Sequence, residues 1–117
     1  MWRDFTHIDD ILDGVIACVD RPPAVDGEAK AGGSHSCHAL YNIGNNRPEK
    51  LTKVIALLEQ ACGRRARVEL LPMQPGDVER TFADIGAIAR DHGFAPRVAI
   101  EDGVPQFVRW FREWRGV

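Results

Sequence analysis

In this chain every segment patterned as a strand is followed by one patterned as a helix, and that alternation limits the folds open to it. Residues 2–7 are short, aromatic and β-branched, and predict a strand. Ile8, Ile11, Leu12, Val15, Ile16 and Val19 then recur at helical spacing as one apolar stripe. Thr6 and Asp9 have the spacing of a capping box, which starts this helix near His7. Pro22-Pro23 stops it, because proline disfavours helix at the residue before it and has no amide hydrogen. Residues 39–43 predict a second strand, and Gly44-Asn45-Asn46 a turn. Leu51, Val54, Ile55, Leu58, Ala61 and Cys62 mark a second helix, opened by Asn46 with Glu49 and closed by Gly63. Residues 67–71 predict a third strand, and residues 72–77 carry turn chemistry. Beyond residues 81–84, Ile85, Ile88, Ala89 and His92 mark a third helix, closed by Gly93. Ile100, Val104, Phe107, Val108, Phe111 and Trp114 mark a fourth, with Pro105 in its first turn and Gly116 at its end. The order is β-α-β-α-β-α-α, an α/β alternation that turns helical, or α+β for the isolated piece.

Three short strands make a poor sheet, since edges without neighbours expose unpaired backbone groups; a larger sheet is expected beside them. The 117 residues suffice for one domain, taken as residues 1–117. Residues 21–38, rich in Pro, Gly, Ser, Ala and charges without periodicity, read as a flexible loop. A formal net charge of -2 gives no electrostatic case for nucleic acid or an anionic membrane as partner. No apolar run approaches the roughly 20 residues of a spanning helix. Met1-Trp2-Arg3-Asp4 has no apolar signal region, and the three cysteines, Cys18, Cys37 and Cys62, show no CxxC spacing. Reduced thiols and a cytoplasmic protein are expected.

Four segments, taken in order, carry a resemblance: Arg3-Asp4-Phe5-Thr6-His7-Ile8-Asp9-Asp10, Tyr41-Asn42-Ile43-Gly44-Asn45-Asn46, Leu71-Pro72-Met73-Gln74-Pro75-Gly76-Asp77-Val78, and the stretch from Gly103 through Phe107-Val108-Arg109-Trp110. Thr81 and Ala83-Asp84 fit a further T-x-A-D element. Together they resemble the C-terminal part of the extended short-chain dehydrogenase/reductase superfamily, the NAD-dependent epimerase/dehydratases. The wording is closest to bacterial UDP-glucuronate 4-epimerases. The resemblance implies the substrate-binding region of a Rossmann-type enzyme. A full-length member holds NAD on an N-terminal domain, and bound NAD takes and returns hydride at C4 of the sugar. The pattern's G-x-x-G-x-x-G is not found in this sequence. Its Tyr-x-x-x-Lys pair is not found either: the only tyrosine, Tyr41, is followed four residues later by Asn45. The N-terminal NAD-binding domain is therefore expected to be absent, through a truncated gene, a wrongly assigned start or design. No catalytic or cofactor-binding residue, and no bound NAD, is expected in this chain.

The resemblance implies roles for three residues in binding a UDP-sugar. Arg3 falls at a diphosphate-contacting arginine, and a planar guanidinium suits bidentate bonds to phosphate. Asp77 falls at an aspartate beside the nucleotide ribose, where a carboxylate accepts from a diol. Gln74 stands where many relatives carry a phosphate-binding arginine, a departure that weakens that contact. Blander readings hold elsewhere. Asp9 and Asp10 suit a helix N-terminus; His7 and His92 suit helix ends or packing. His35, Cys37 and His38 match no common zinc spacing, so no metal is expected. Trp110, Phe111 and Trp114 fall on a helical stripe and are expected in the core rather than as a stacking platform, with part of the stripe exposed where a missing half would have covered it. Two other readings stay open: another NAD-dependent nucleotide-sugar epimerase, dehydratase or decarboxylase, and a non-catalytic module that self-associates into a homo-oligomer through its uncovered apolar face.

Overall fold

A computed structural model describes residues 1–117. The elements follow in the order β1 (Trp2–Asp4), α1 (Ile8–Asp20), β2 (Pro48–Lys50), α2 (Leu51–Cys62), α3 (Gly86–His92) and α4 (Ile100–Arg115). β1 pairs antiparallel with β2, Arg3 opposite Glu49. On its other edge Trp2 bridges to Arg80 in parallel, its amide donating to the Glu79 carbonyl at 2.8 Å and its carbonyl accepting from Thr81 at 3.3 Å. β1 is therefore the middle of a three-part ribbon. α2 and α4 lie side by side and run the same way. Lys53, in the first turn of α2, meets Glu101 in the first turn of α4 at 2.7 Å, and Arg112 near the end of α4 donates to the Cys62 carbonyl at 2.8 Å.

The helices form largely where the periodicity predicts them, because that signal is local. Gly63, Gly93 and Gly116 all take left-handed φ values (66°, 70° and 67°) and close α2, α3 and α4 as expected. α1 ends at Asp20, just before the Pro22-Pro23 pair. Its start differs in detail. His7 is the cap, its ring nitrogen accepting from the Asp9 amide at 3.3 Å, while Thr6 is engaged by the Asn45 amide at 3.1 Å. α2 begins at Leu51 rather than near Asn46, because Asn46 takes φ 52° and residues 48–50 are drawn into pairing with β1. Pro105 lies in the second turn of α4, where its ring nitrogen cannot donate to the carbonyl of Glu101.

The strands depart further from expectation. The first is confined to Trp2–Asp4, and residues 39–43 and 67–71 belong to no helix or strand. A strand is stable through its neighbour, and neither segment has one within this chain. The ribbon forms instead from Pro48–Lys50, which carries no strand signal but lies opposite β1. Residues 21–38 contain no helix or strand and bond among themselves, Lys30 to Ser34 at 2.7 Å and Gly33 to Lys30 at 2.9 Å.

The core is small. Nine of 117 residues are buried, with Val54, Ile88, Phe94, Ile100 and Val108 as its large apolar members. The radius of gyration is 18.0 Å, against about 13 Å for a compact chain of this length. The predicted stripe of α1 faces outward: Ile8, Leu12, Val15, Ile16 and Val19 are all exposed, and the helix buries Asp10 and Gly14 instead. Gly14 is a close approach, where an added Cβ would lie 3.0 Å from Ile43 and 3.2 Å from Phe94. Trp110, Phe111 and Trp114 also fall outside the core. They are exposed and pack on one another, the two indoles stacked at 5.8 Å, because α4 turns Val108 rather than this row toward α2.

Candidate functional site

β1 and the turn before residue 78 place Arg3 and Asp77 together. Gln74, Pro75, Gly76 and Asp77 form a tight turn closed by the Asp77 amide donating to the Gln74 carbonyl at 3.1 Å. Proline at the second position and Gly76 at φ 91° at the third are the chemistry of a type II turn. The chain then runs alongside β1, held by the bonds of Trp2 to Glu79 and Thr81. Arg3 Nη1 donates to the carbonyls of Trp2 and Val78, each at 2.8 Å, and Nη2 lies 3.9 Å from Asp77 Oδ1. Both side chains reach solvent, 25% and 47% exposed, so the ion pair itself adds little stability. Gln74 is exposed on the same turn. Two of the three predicted residues are thus in direct electrostatic contact, and the third shares their turn. One guanidinium nitrogen is committed to carbonyls, which fixes the plane of the group. Nη2, facing Asp77, makes no hydrogen bond.

Behind this pair lies a set of contacts that the sequence reading passed over. Asp4 Oδ2 accepts from the amides of Asn46 and Ala83, both at 3.0 Å, and Oδ1 from Arg47 at 3.4 Å. Thr6, two residues on, accepts from Asn45. Gly44 fits closely between: an added Cβ would stand 2.5 Å from Ala83 Cβ and 2.8 Å from the Asp4 carboxylate. Asp4, Thr6, Tyr41, Asn42, Thr81 and Asp84 line a polar cleft of about 480 Å³. Tyr41 donates to Asp91 Oδ2 at 3.1 Å; burial, and then the nearby Asp91 carboxylate, push its phenol above the usual value. Asp10, 1% exposed, accepts from the amides of Arg97 at 2.9 Å and Val98 at 3.1 Å. One signal for Asp4 was open to reading: aspartate is disfavoured in strands, so one inside a strand needs partners. Asp9 reaches only the His7 ring, at 3.5 Å.

His35 Nδ1 donates to the Gly27 carbonyl at 3.0 Å, and all three cysteines are free thiols. No helix is long and apolar enough to cross a membrane.

No family model matches the chain. Individual proteins do. It is 37% identical to Protein CapI of Staphylococcus aureus, across 97% of this chain and 36% of that protein. It is 38% identical to a probable UDP-glucuronate 4-epimerase of Rhizobium meliloti, across 95% of this chain and 34% of that one. Among solved structures, a mutant UDP-glucuronic acid 4-epimerase of Bacillus cereus, in complex with UDP-4-deoxy-4-fluoro-glucuronic acid and NAD, superposes with a TM-score of 0.73. That match covers 95% of this chain and 32% of the enzyme at 24% identity. The chain is thus similar to one part of proteins named as UDP-glucuronate 4-epimerases. It spans about a third of the length of the curated relatives it matches. The resemblance drawn from the four motifs thus holds, and the mixed helix-and-strand fold matches one region of that solved structure.

Proposed function

We propose that this chain supplies the nucleotide-sugar grip of an NAD-dependent nucleotide-sugar 4-epimerase, with UDP-glucuronate as the substrate. The carrying observation is the pair of Arg3 and Asp77, 3.9 Å apart on adjoining backbone segments. Arg3 would bond the diphosphate and Asp77 the ribose hydroxyls, with Gln74 beside them on the turn. The names of the relatives support the choice of sugar.

The residues of this chain do not fit NAD. A dinucleotide is held where a glycine-rich turn lets its pyrophosphate approach a helix N-terminus. Here one strand-to-helix junction runs through Phe5, Thr6 and His7, whose ring occupies the end of α1, and the other passes directly from Lys50 to Leu51; neither contains a glycine. Hydride transfer accordingly belongs to residues outside these 117, and the chain alone is expected to turn over no UDP-glucuronate when NAD is added. Titration calorimetry with UDP and UDP-glucuronate tests the grip. Arg3→Ala should weaken binding at least roughly tenfold, the scale of a lost hydrogen bond to a charged group. Wild type and Arg3→Ala with equal affinity, or no binding by either, would sink the reading.

One observation favours a second role. The exposed row Ile8, Leu12, Val15, Ile16 and Val19 is the kind of face that another protein surface covers, and self-association into a homo-oligomer would do so. Sedimentation of wild type against Leu12→Glu/Ile16→Glu distinguishes a homo-oligomer from a monomer. A cytoplasmic setting fits the three unpaired thiols.

A further inference from the structure

We infer that Asp4 is a positioning residue of this grip, setting where Arg3 stands; the inference rests on the reading of Arg3 as the diphosphate contact. Arg3 itself is held by its strand, by two carbonyls and by the solvent-exposed Asp77 carboxylate 3.9 Å away. What fixes the strand is the next side chain. The Asp4 carboxylate gathers backbone amides from two remote segments, Asn46 and Arg47 on one and Ala83 on the other, 42, 43 and 79 residues away. The first segment leads into β2, which pairs with Arg3 from one edge. The second continues from residues 79–81, which pair with Trp2 from the other edge and carry the Asp77 turn. A single carboxylate therefore ties β1 to the two backbones that flank it, and it does so with charge-assisted bonds that a neutral side chain cannot fully replace. Thr6 adds a fourth amide, Asn45, from the same strand-to-helix segment. Gly44 keeps the approach open, since a Cβ there would meet both Ala83 and the carboxylate. The buried Asp10 provides an internal comparison. It also accepts two backbone amides, but ties α1 to residues 97–98, a link that does not involve Arg3 or the Asp77 turn.

The test compares wild type, Asp4→Asn, Asp4→Glu and Asp10→Asn as the full chain. Titration calorimetry gives UDP affinity, and NMR of the arginine side chains gives the position of Arg3. Asp4→Asn should bind UDP roughly tenfold more weakly and shift the Arg3 resonances, at the scale of a lost charged hydrogen bond. Asp4→Glu should recover part of that loss, and Asp10→Asn, where folded, should bind within about twofold of wild type. Equal affinity for Asp4→Asn and wild type would overturn the inference, as would an equal loss in Asp10→Asn, which would mark a general effect of stability. If wild type binds no UDP, the reading of the grip falls and the Arg3 resonances decide alone. A shift in Asp4→Asn but not in Asp10→Asn sustains the positioning role, and unchanged resonances end it. If Asp4→Asn fails to fold, Asp4→Glu carries the same comparison, and an unshifted Arg3 with wild-type affinity overturns the inference.

Discussion

Replacing Asp10 by alanine should unfold this chain or bring it to the edge of unfolding. The carboxylate is 1% exposed, with one oxygen accepting from Arg97 and the other from Val98. Those two amides lie just before α4 and 87 and 88 residues from Asp10, so the bonds close a long loop as well as satisfying donors. Each hydrogen bond to a charged group contributes about 1.5–3 kcal/mol net. Some water entry at the part-buried amides lowers the sum, which leaves about 3–5 kcal/mol for Asp10→Ala. Asp10→Asn keeps one acceptor and turns an amino group toward the other amide, at a cost of about 2 kcal/mol. A domain this small has a total stability near the low end of about 5–15 kcal/mol. Asp9→Ala is the control: its side chain is 66% exposed and meets only His7, so its change should stay within about 0.5 kcal/mol. Urea unfolding followed by circular dichroism and by tryptophan fluorescence measures all three. A loss below about 1 kcal/mol in Asp10→Ala, or equal losses in Asp9→Ala and Asp10→Ala, would refute the reasoning.

Gly44→Ala should destabilise by about 1–3 kcal/mol, since its Cβ would stand 2.5 Å from that of Ala83; an unchanged thermal midpoint would contradict this. The link between α2 and α4 should depend on pH at both ends. A hydrogen bond from Lys53 holds the Glu101 carboxyl below its usual value, so its contribution is complete above the ordinary carboxylate range and is lost as pH falls through the lowered pKa. Hydrogen bonds to Glu101 and then Glu49 raise Lys53, whose contribution is complete below the ordinary lysine range and is lost as pH rises through the raised pKa. Glu101→Gln should therefore flatten the acid limb of the midpoint-versus-pH curve, leaving what Asp26 and Asp91, also lowered, still contribute; an acid limb identical to wild type would count against it.

What could be read from the sequence follows the range of each interaction. The helix caps Gly63, Gly93 and Gly116 and the stop at Pro22-Pro23 are set by neighbours a few residues away, and each stands where the pattern puts it. Strands are settled by partners far along the chain. Residues 67–71 have the composition of a strand and no partner, whereas Pro48–Lys50 has a partner and no composition to advertise it. Arg3 and Asp77 could be paired only through motifs held in common with relatives. Nothing in the spacing of residues 3 and 77 points to a distance of 3.9 Å. Asp4 and Asp10 read as ordinary strand and helix-start residues, because the amides that they hold lie 42 to 88 residues on.

The outward stripe of α1 is where a local rule gave the right periodicity and the wrong face. An amphipathic helix is expected to bury its apolar side. α1 instead buries Asp10 and Gly14 against residues 97–98, Ile43 and Phe94, and leaves five large apolar residues to solvent. Both sides are specific: the inner one is held by a carboxylate with two amides and by a glycine with no room for a methyl group. Turning the helix to bury the stripe would break those contacts, so the stripe is not a core that failed to close. It is a second surface, formed while the first is satisfied. With only nine residues buried, the fold depends on clamps such as Asp4 and Asp10 more than a larger domain would, and covering the α1 face would bury apolar surface that the fold leaves open.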